Sequence, residues 1–118
     1  MPSAFHRSDR INAQLRRELG MLVHAAVRDH ALPSVSVSEV EVTRDFEHAT
    51  VWVVTLLPED AEAALARLDA LAGELRSQLA RRVRLRKVPA LRFRYDRSMD
   101  RGDRIDALLR GMPPPEAS

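Results

Sequence analysis

Nine basic side chains fall within residues 76–97, against one acid, Asp96. They are Arg76, Arg81, Arg82, Arg84, Arg86, Lys87, Arg92, Arg94 and Arg97. The chemistry open to such a run is phosphate recognition, because a guanidinium is a planar, permanently charged fork that can meet two phosphate oxygens at once. A polyanion needs several such donors along one surface, so the run reads as a nucleic-acid contact. On a helical wheel advancing about 100° per residue, Leu75, Leu79 and Val83 share one side, and Ser77, Arg81 and Arg84 share the solvent side. Arg92 and Arg94, two apart on a strand, project to one side together, and Arg86 and Lys87 occupy the connection between helix and strand. The competing reading is a solvated helix face with arginine supplied by codon bias. Nine bases to one acid favour the nucleic acid. A secondary basic face, Arg10, Arg16 and Arg17, lies on the first helix.

The rest of the charge supports a sided molecule. Net charge is +2, yet the isoelectric point is near 9.9, because 18 of the 19 bases are arginine and few groups titrate between neutrality and that pH. Residues 1–38 sum to +2, 39–75 to −7, 76–97 to +8 and 98–118 to −1. Such segregation points to a polyanionic partner engaged by one surface.

Other chemistries find little support. There is no cysteine, hence no disulfide framework, thiolate nucleophile or cysteine zinc site. His6, His24, His30 and His48 have no metal-ligand spacing, so no metal and no cofactor is expected. Glu59, Asp60 and Glu62 are explained by the positive end of a helix dipole. Ser77 and Ser98 have no nearby His-Asp constellation, so an enzyme is not expected, nor a small-molecule substrate. The four glycines, 20, 73, 102 and 111, are isolated and build no phosphate loop. The apolar run 51–57 is far short of the roughly 18 residues that span a bilayer, and the N-terminus lacks a secretory h-region. No membrane association and a cytoplasmic location are the expectations.

At 118 residues the chain suits one domain, placed at residues 1–110, with a disordered tail at 111–118. Ile11, Leu15, Leu19, Leu22, Val23, Ala26 and Val27 recur at helical spacing, so a helix is expected from about Ser8 to Asp29 with Ser8 or Asp9 as N-cap. His30-Ala31-Leu32 before Pro33 should leave the helix. Val35 and Val37 are out of phase with Val40 and Val42, so either a bulge lies near Ser38-Glu39 or the strand begins later; the preferred span is 36–44. Asp45 to His48 form a turn, and 49–56 a β-branched second strand. Pro58-Glu59-Asp60 opens a second helix. A kink or tight turn near Leu71-Ala72-Gly73 separates it from a third, which runs toward Val83 and Arg84. Leu91, Phe93 and Tyr95 alternate with arginines in a third strand, where core packing is a better reading of the two aromatics than a base-stacking platform. A short helix near 104–109 follows. The order α-β-β-α-kink-α-β makes a two-layer α+β domain with helices on one sheet face and the other face partly open.

Arg84-Leu85-Arg86-Lys87-Val88-Pro89-Ala90-Leu91-Arg92-Phe93-Arg94-Tyr95-Asp96-Arg97-Ser98 resembles the signature of the bacterial ribosome-binding factor A family, Arg-Leu-Arg-x-Val-Pro-Glu-Leu-x-Phe-x-x-Asp-x-Ser. Val-Thr-Arg-Asp before the hairpin turn, the second-strand pattern and Gly-x-x-Arg-Ser at 73–77 agree, and the match spans about residues 5–110. Leu71 stands where the family has alanine, and Ala90 where it has glutamate. The resemblance implies a KH-like fold of type II, with a kinked Ala-x-Gly at Leu71, Ala72 and Gly73 in place of the Gly-x-x-Gly loop. It further implies association with the 30S ribosomal subunit and its 16S rRNA, late subunit maturation including 5′-end processing, and growth in the cold. A monomer is expected. The alternative is a protein-interaction adaptor that docks a basic partner on its acidic 39–75 segment.

Overall fold

The computed structural model describes residues 7–97. The expected helix near 104–109, the tail, and Phe5, His6 and Ser98 lie outside the described residues. Helix α1 runs Arg7–Asp29, followed by β1 Val35–Val42, β2 His48–Thr55, α2 Ala61–Ala70, α3 Ala72–Arg82 and β3 Ala90–Tyr95. A 3-10 turn, Pro58–Asp60, leads into α2. The sheet order is β1-β2-β3, with β1 antiparallel and β3 parallel to β2. Helix α1 covers β1, and α2 and α3 cover β3, so the expected two-layer α+β arrangement is the one found.

One face of the sheet is the core. Ala49, Val51 and Val53 of β2 are fully buried, and the register sets Leu91 beside Ala49 and Phe93 beside Val51. Against them pack Leu15, Leu19 and Val23 from α1, Ala64 and Leu68 from α2, and Leu75 and Leu79 from α3. Phe93 is buried, so the core reading of that aromatic holds.

The phase conflict in β1 is resolved by a bulge. Val37 pairs with Val53 and Glu39 with Trp52, leaving Ser38 as the extra residue. Because of it, Val35, Val37, Val40 and Val42 oppose Thr55, Val53, Val51 and Ala49, all on the core side. The strand therefore starts at Val35 and ends at Val42, ahead of the expected 36–44. Ser38 Oγ donates to Asp96 Oδ2 at 2.7 Å and to the Trp52 carbonyl at 3.3 Å, tying β1 to the end of β3 across the central strand. On α1, Asn12 Oδ1 accepts the Val42 backbone N–H at 3.0 Å.

Helix α1 ends at Asp29 with residues 30–32 outside it, as expected, and differs only at its start. It is helical from Arg7 among the described residues, so Ser8 and Asp9 fall in its first turn and not at the expected N-cap position. At its other end His30 N–H still donates to Ala26 O in the helical pattern, Ala31 has φ 54°, and Leu32 N–H donates to Val27 O, the 6→1 bond of a Schellman closure made without glycine. An alanine in this left-handed conformation pays a steric cost that glycine does not. Ala31→Gly is therefore expected to stabilise the domain by about 0.5–1 kcal/mol in urea unfolding, and a loss of stability would contradict this account of the turn.

The α2–α3 interruption falls at Leu71, at φ −95° and ψ 1°, within the expected Leu71-Ala72-Gly73 segment. Leu71 N–H is shared between the Arg67 and Leu68 carbonyls, and its own carbonyl accepts from Leu75 N–H to start α3. Gly73 lies inside α3, and a Cβ there would meet nothing within 4 Å, so neither crowding nor a turn demands glycine at that position.

Candidate nucleic-acid interface

Helix α3 turns Leu75 and Leu79 inward, which leaves Arg76, Arg81 and Arg82 exposed. The helix stops at Arg82, and Val83 is extended at φ −121° and ψ 151°. Arg84 consequently belongs to the 83–89 connection, and its expected place on the helical wheel does not apply. Buried Val83 and Pro89 anchor this connection at both ends, and Arg84, Arg86 and Lys87 are displayed between them.

Three of the nine cations are engaged within the fold. Arg76 Nε and Nη2 both donate to the Val88 carbonyl, at 3.0 and 2.7 Å, and hold the connection against α3. Arg82 Nε meets Glu18 Oε1 of α1 at 2.6 Å, where the Glu18 side chain is only 15% exposed. Lys87 Nζ meets Glu47 Oε2 at 2.6 Å, an exposed pair of the kind worth about 0–1 kcal/mol and readily exchanged for a phosphate. Arg81, Arg84, Arg86, Arg92 and Arg94 are exposed, and among the described residues no carboxylate lies within 4.0 Å of them. Arg97 is exposed at the end of the described chain.

These side chains do not share one surface, and the expectation that they gather together is corrected. Leu91 and Phe93 face the helices, so Arg92 and Arg94 project from the opposite, open face. Arg81 lies in the helix layer. Arg86 and Lys87 stand at the end of the molecule, in an open hollow lined among the described residues by Ile11, Asp45, Phe46 and Leu85. Of the secondary face, Arg10 and Arg17 are exposed, and Arg16 Nε lies 3.9 Å from Glu39 Oε1.

Beside the connection, the β1–β2 turn is tightly built. Asp45 Oδ1 accepts from the Glu47 backbone N–H at 3.0 Å and from Thr43 Oγ1 at 2.8 Å. The Glu47 amide, and then the Thr43 hydroxyl, hold the Asp45 carboxyl below the usual aspartate value by stabilising its charged form. Phe46 takes φ 60°, a left-handed conformation rare for an aromatic residue.

The acids of 39–75 are dispersed as well. Glu39 and Glu41 lie on the open sheet face, Asp45 and Glu47 in the turn, Glu59, Asp60, Glu62 and Asp69 in and just before α2, and Glu74 in α3. Among the described residues no group of three or more His, Cys, Asp or Glu could hold a metal ion. No helix among them is long and apolar enough to cross a membrane.

A residue that sequence reasoning missed is Trp52. The β2 alternation buries Ala49, Val51, Val53 and Thr55, which turns Trp52 to the open face. The parallel register then places it directly opposite Arg94. Alternation alone could have shown the outward direction, but not the neighbour.

Comparison with known proteins agrees with this architecture. The family model described as Ribosome-binding factor A matches residues 7–109. The chain is similar to Ribosome-binding factor A of Stenotrophomonas maltophilia strain K279a, 59% identical over 113 residues, covering 96% of this chain and 89% of that protein. It is 58% identical over 113 residues to the protein of that name from Xanthomonas euvesicatoria, covering 95% and 87%. Among solved structures, the crystal structure of ribosome-binding factor A from Thermus thermophilus superposes with a TM-score of 0.69 at 33% identity, over 78% of this chain and 99% of that one. A Thermus thermophilus homology model of the factor, fitted into a cryo-electron-microscopy map of a 30S complex, gives 0.62 at 35% identity, over 73% and 91%.

Proposed function

Because the chain belongs to the ribosome-binding factor A family, we propose that it binds the 30S ribosomal subunit by its 16S rRNA and assists late maturation, including processing of the rRNA 5′ end. The observation that carries this reading is the set of exposed arginines, Arg81, Arg84, Arg86, Arg92 and Arg94, with no carboxylate within 4.0 Å among the described residues. Uncompensated guanidinium groups on a surface are placed to neutralise phosphates. Arg97 joins them at the end of β3, and Lys87 joins by exchanging Glu47 for a phosphate. Arg76 and Arg82 contribute to the field while holding the connection and α1 in place. The mechanism is occupancy: the factor acts as a monomer in the cytoplasm, without cofactor or covalent chemistry, and is retained on the subunit by phosphate contacts. Arginine-to-phosphate contact positions the protein and carries little sequence information, so orientation on the subunit comes from shape.

Six engaged phosphates, at Arg81, Arg84, Arg86, Lys87, Arg92 and Arg94, give a salt slope near −5 in log affinity against log salt. Between about 50 and 200 mM salt, affinity for small subunits is then expected to fall about a thousandfold. Sedimentation of the tagged full chain with small subunits through sucrose gradients at both salt levels measures this, and extraction of the co-sedimenting rRNA shows whether its 5′ ends are unprocessed. Retention unchanged across that range would sink the electrostatic mechanism.

A further inference from the structure

The open sheet face has a composition of its own. Across it run three rows set by the strand register: Ser36–Val54, Glu39–Trp52–Arg94 and Glu41–Thr50–Arg92, with His48 beside Ala90 at one end. Trp52, the chain's single tryptophan, is half-buried in the central strand, so part of its surface is accessible. The two arginines beside it are exposed, and no carboxylate among the described residues lies within 4.0 Å of either. Glu39, on the other side of the ring, lies 3.9 Å from Arg16 of α1.

We propose that this face is a separate binding site for unpaired RNA, in which Trp52 stacks a base and Arg92 and Arg94 hold the adjoining phosphates. The proposal rests on the RNA-binding reading above and gives it a second surface and a ligand class. A flat ring on a pleated sheet beside two uncompensated guanidinium groups matches an exposed base joined to its phosphates; in a duplex the base faces are already stacked on each other. The acidic row of β1, Glu39 and Glu41, repels a polyanion, so the strand tracks along β2 and β3. The site points away from the helix layer that carries Arg81. The protein would then sit between two RNA segments, one held by phosphate contacts alone and the other by stacking together with phosphate contacts.

Trp52 is its own reporter, since no second tryptophan contributes emission. The full chain is titrated at low salt with an oligouridylate of about eight nucleotides and with a duplex RNA of about 16 base pairs. Saturable quenching by the single strand, with little change on adding the duplex, is the expected result. Arg94→Gln, which keeps the fluorophore, is expected to weaken the single strand about three- to tenfold, and Trp52→Leu, followed by filter retention, about tenfold or more. Circular dichroism identifies a Trp52→Leu protein that fails to fold, in which case Arg94→Gln decides. Oligouridylate retention without a change in emission, equal quenching by the duplex, or quenching by a basic peptide or by raising the protein's own concentration would each overturn the proposal. If small-subunit binding persists with its salt dependence while Trp52 stays silent, only the sheet-face site is lost; if neither is seen, the RNA-binding reading falls with it.

Discussion

Replacing Arg81 and Arg84 together by glutamate is expected to weaken binding to small ribosomal subunits about a hundredfold or more near 0.1 M salt, and to reduce the salt slope from about −5 toward −3. Each lost phosphate contact removes one counterion-release term, worth close to a factor of ten at this ionic strength, and the introduced carboxylates add repulsion. The fold should tolerate the change, because both side chains are exposed and neither makes an ion pair among the described residues. Arg76→Glu is the contrasting variant: it removes two donors from the Val88 carbonyl and should loosen the 83–89 connection, with a loss of thermal stability. An Arg81/Arg84 double variant that sediments with subunits like the parent protein would show that the helix-side arginines do not make the contact.

The largest structural effect is expected from deleting a single residue of β1, with an outcome that depends on which one. Removing Glu41 breaks the phase that the bulge creates. If Val42 keeps its partner Ala49, then Val40, 1% exposed, moves to the open face and Glu39 is driven toward the core. Losing a buried valine costs about 1.5–3 kcal/mol, and burying an unpaired carboxylate costs several more, which together approach the 5–15 kcal/mol that holds a typical domain folded. The alternative, keeping the beginning of the strand in place, exposes Val42 and withdraws its N–H from Asn12. Removing Ser38 instead leaves Val-Ser-Val-Glu-Val-Glu-Val, a regular alternation that preserves every observed pair. That deletion should cost only about 1–2 kcal/mol, for the hydrogen bonds to Asp96 and the Trp52 carbonyl and for the altered twist. Urea unfolding of the two variants measures the contrast, and equal destabilisation would mean that the bulge is not what sets the register.

The elements themselves were legible because their signals are local. The apolar spacing in 11–27 marks one helix face, and β-branched residues from Ala49 to Thr55 mark a strand, since each side chain's direction follows from the backbone period alone. The valines of β1 announced an irregularity, but two solutions remained open until pairing with β2 showed Ser38 to be the additional residue. Gly73 drew attention as the natural break between helices; the chain turns at Leu71, where a shared carbonyl hydrogen bond suffices.

For the functional surface, composition identified the cations, and the 84–98 signature identified the family, without any coordinates. Only the tertiary structure decided which of those cations are available and in what company. Arg82 finds Glu18 at a separation of 64 residues, Lys87 finds Glu47 at 40, and Arg94 comes to lie beside Trp52 through a parallel register. Such partners are chosen by how the closed chain buries its core, a property of the whole molecule that no local period encodes. The same closure turned a single basic run into two opposed surfaces, because a strand and a helix in contact across a core must send their outward side chains in opposite directions.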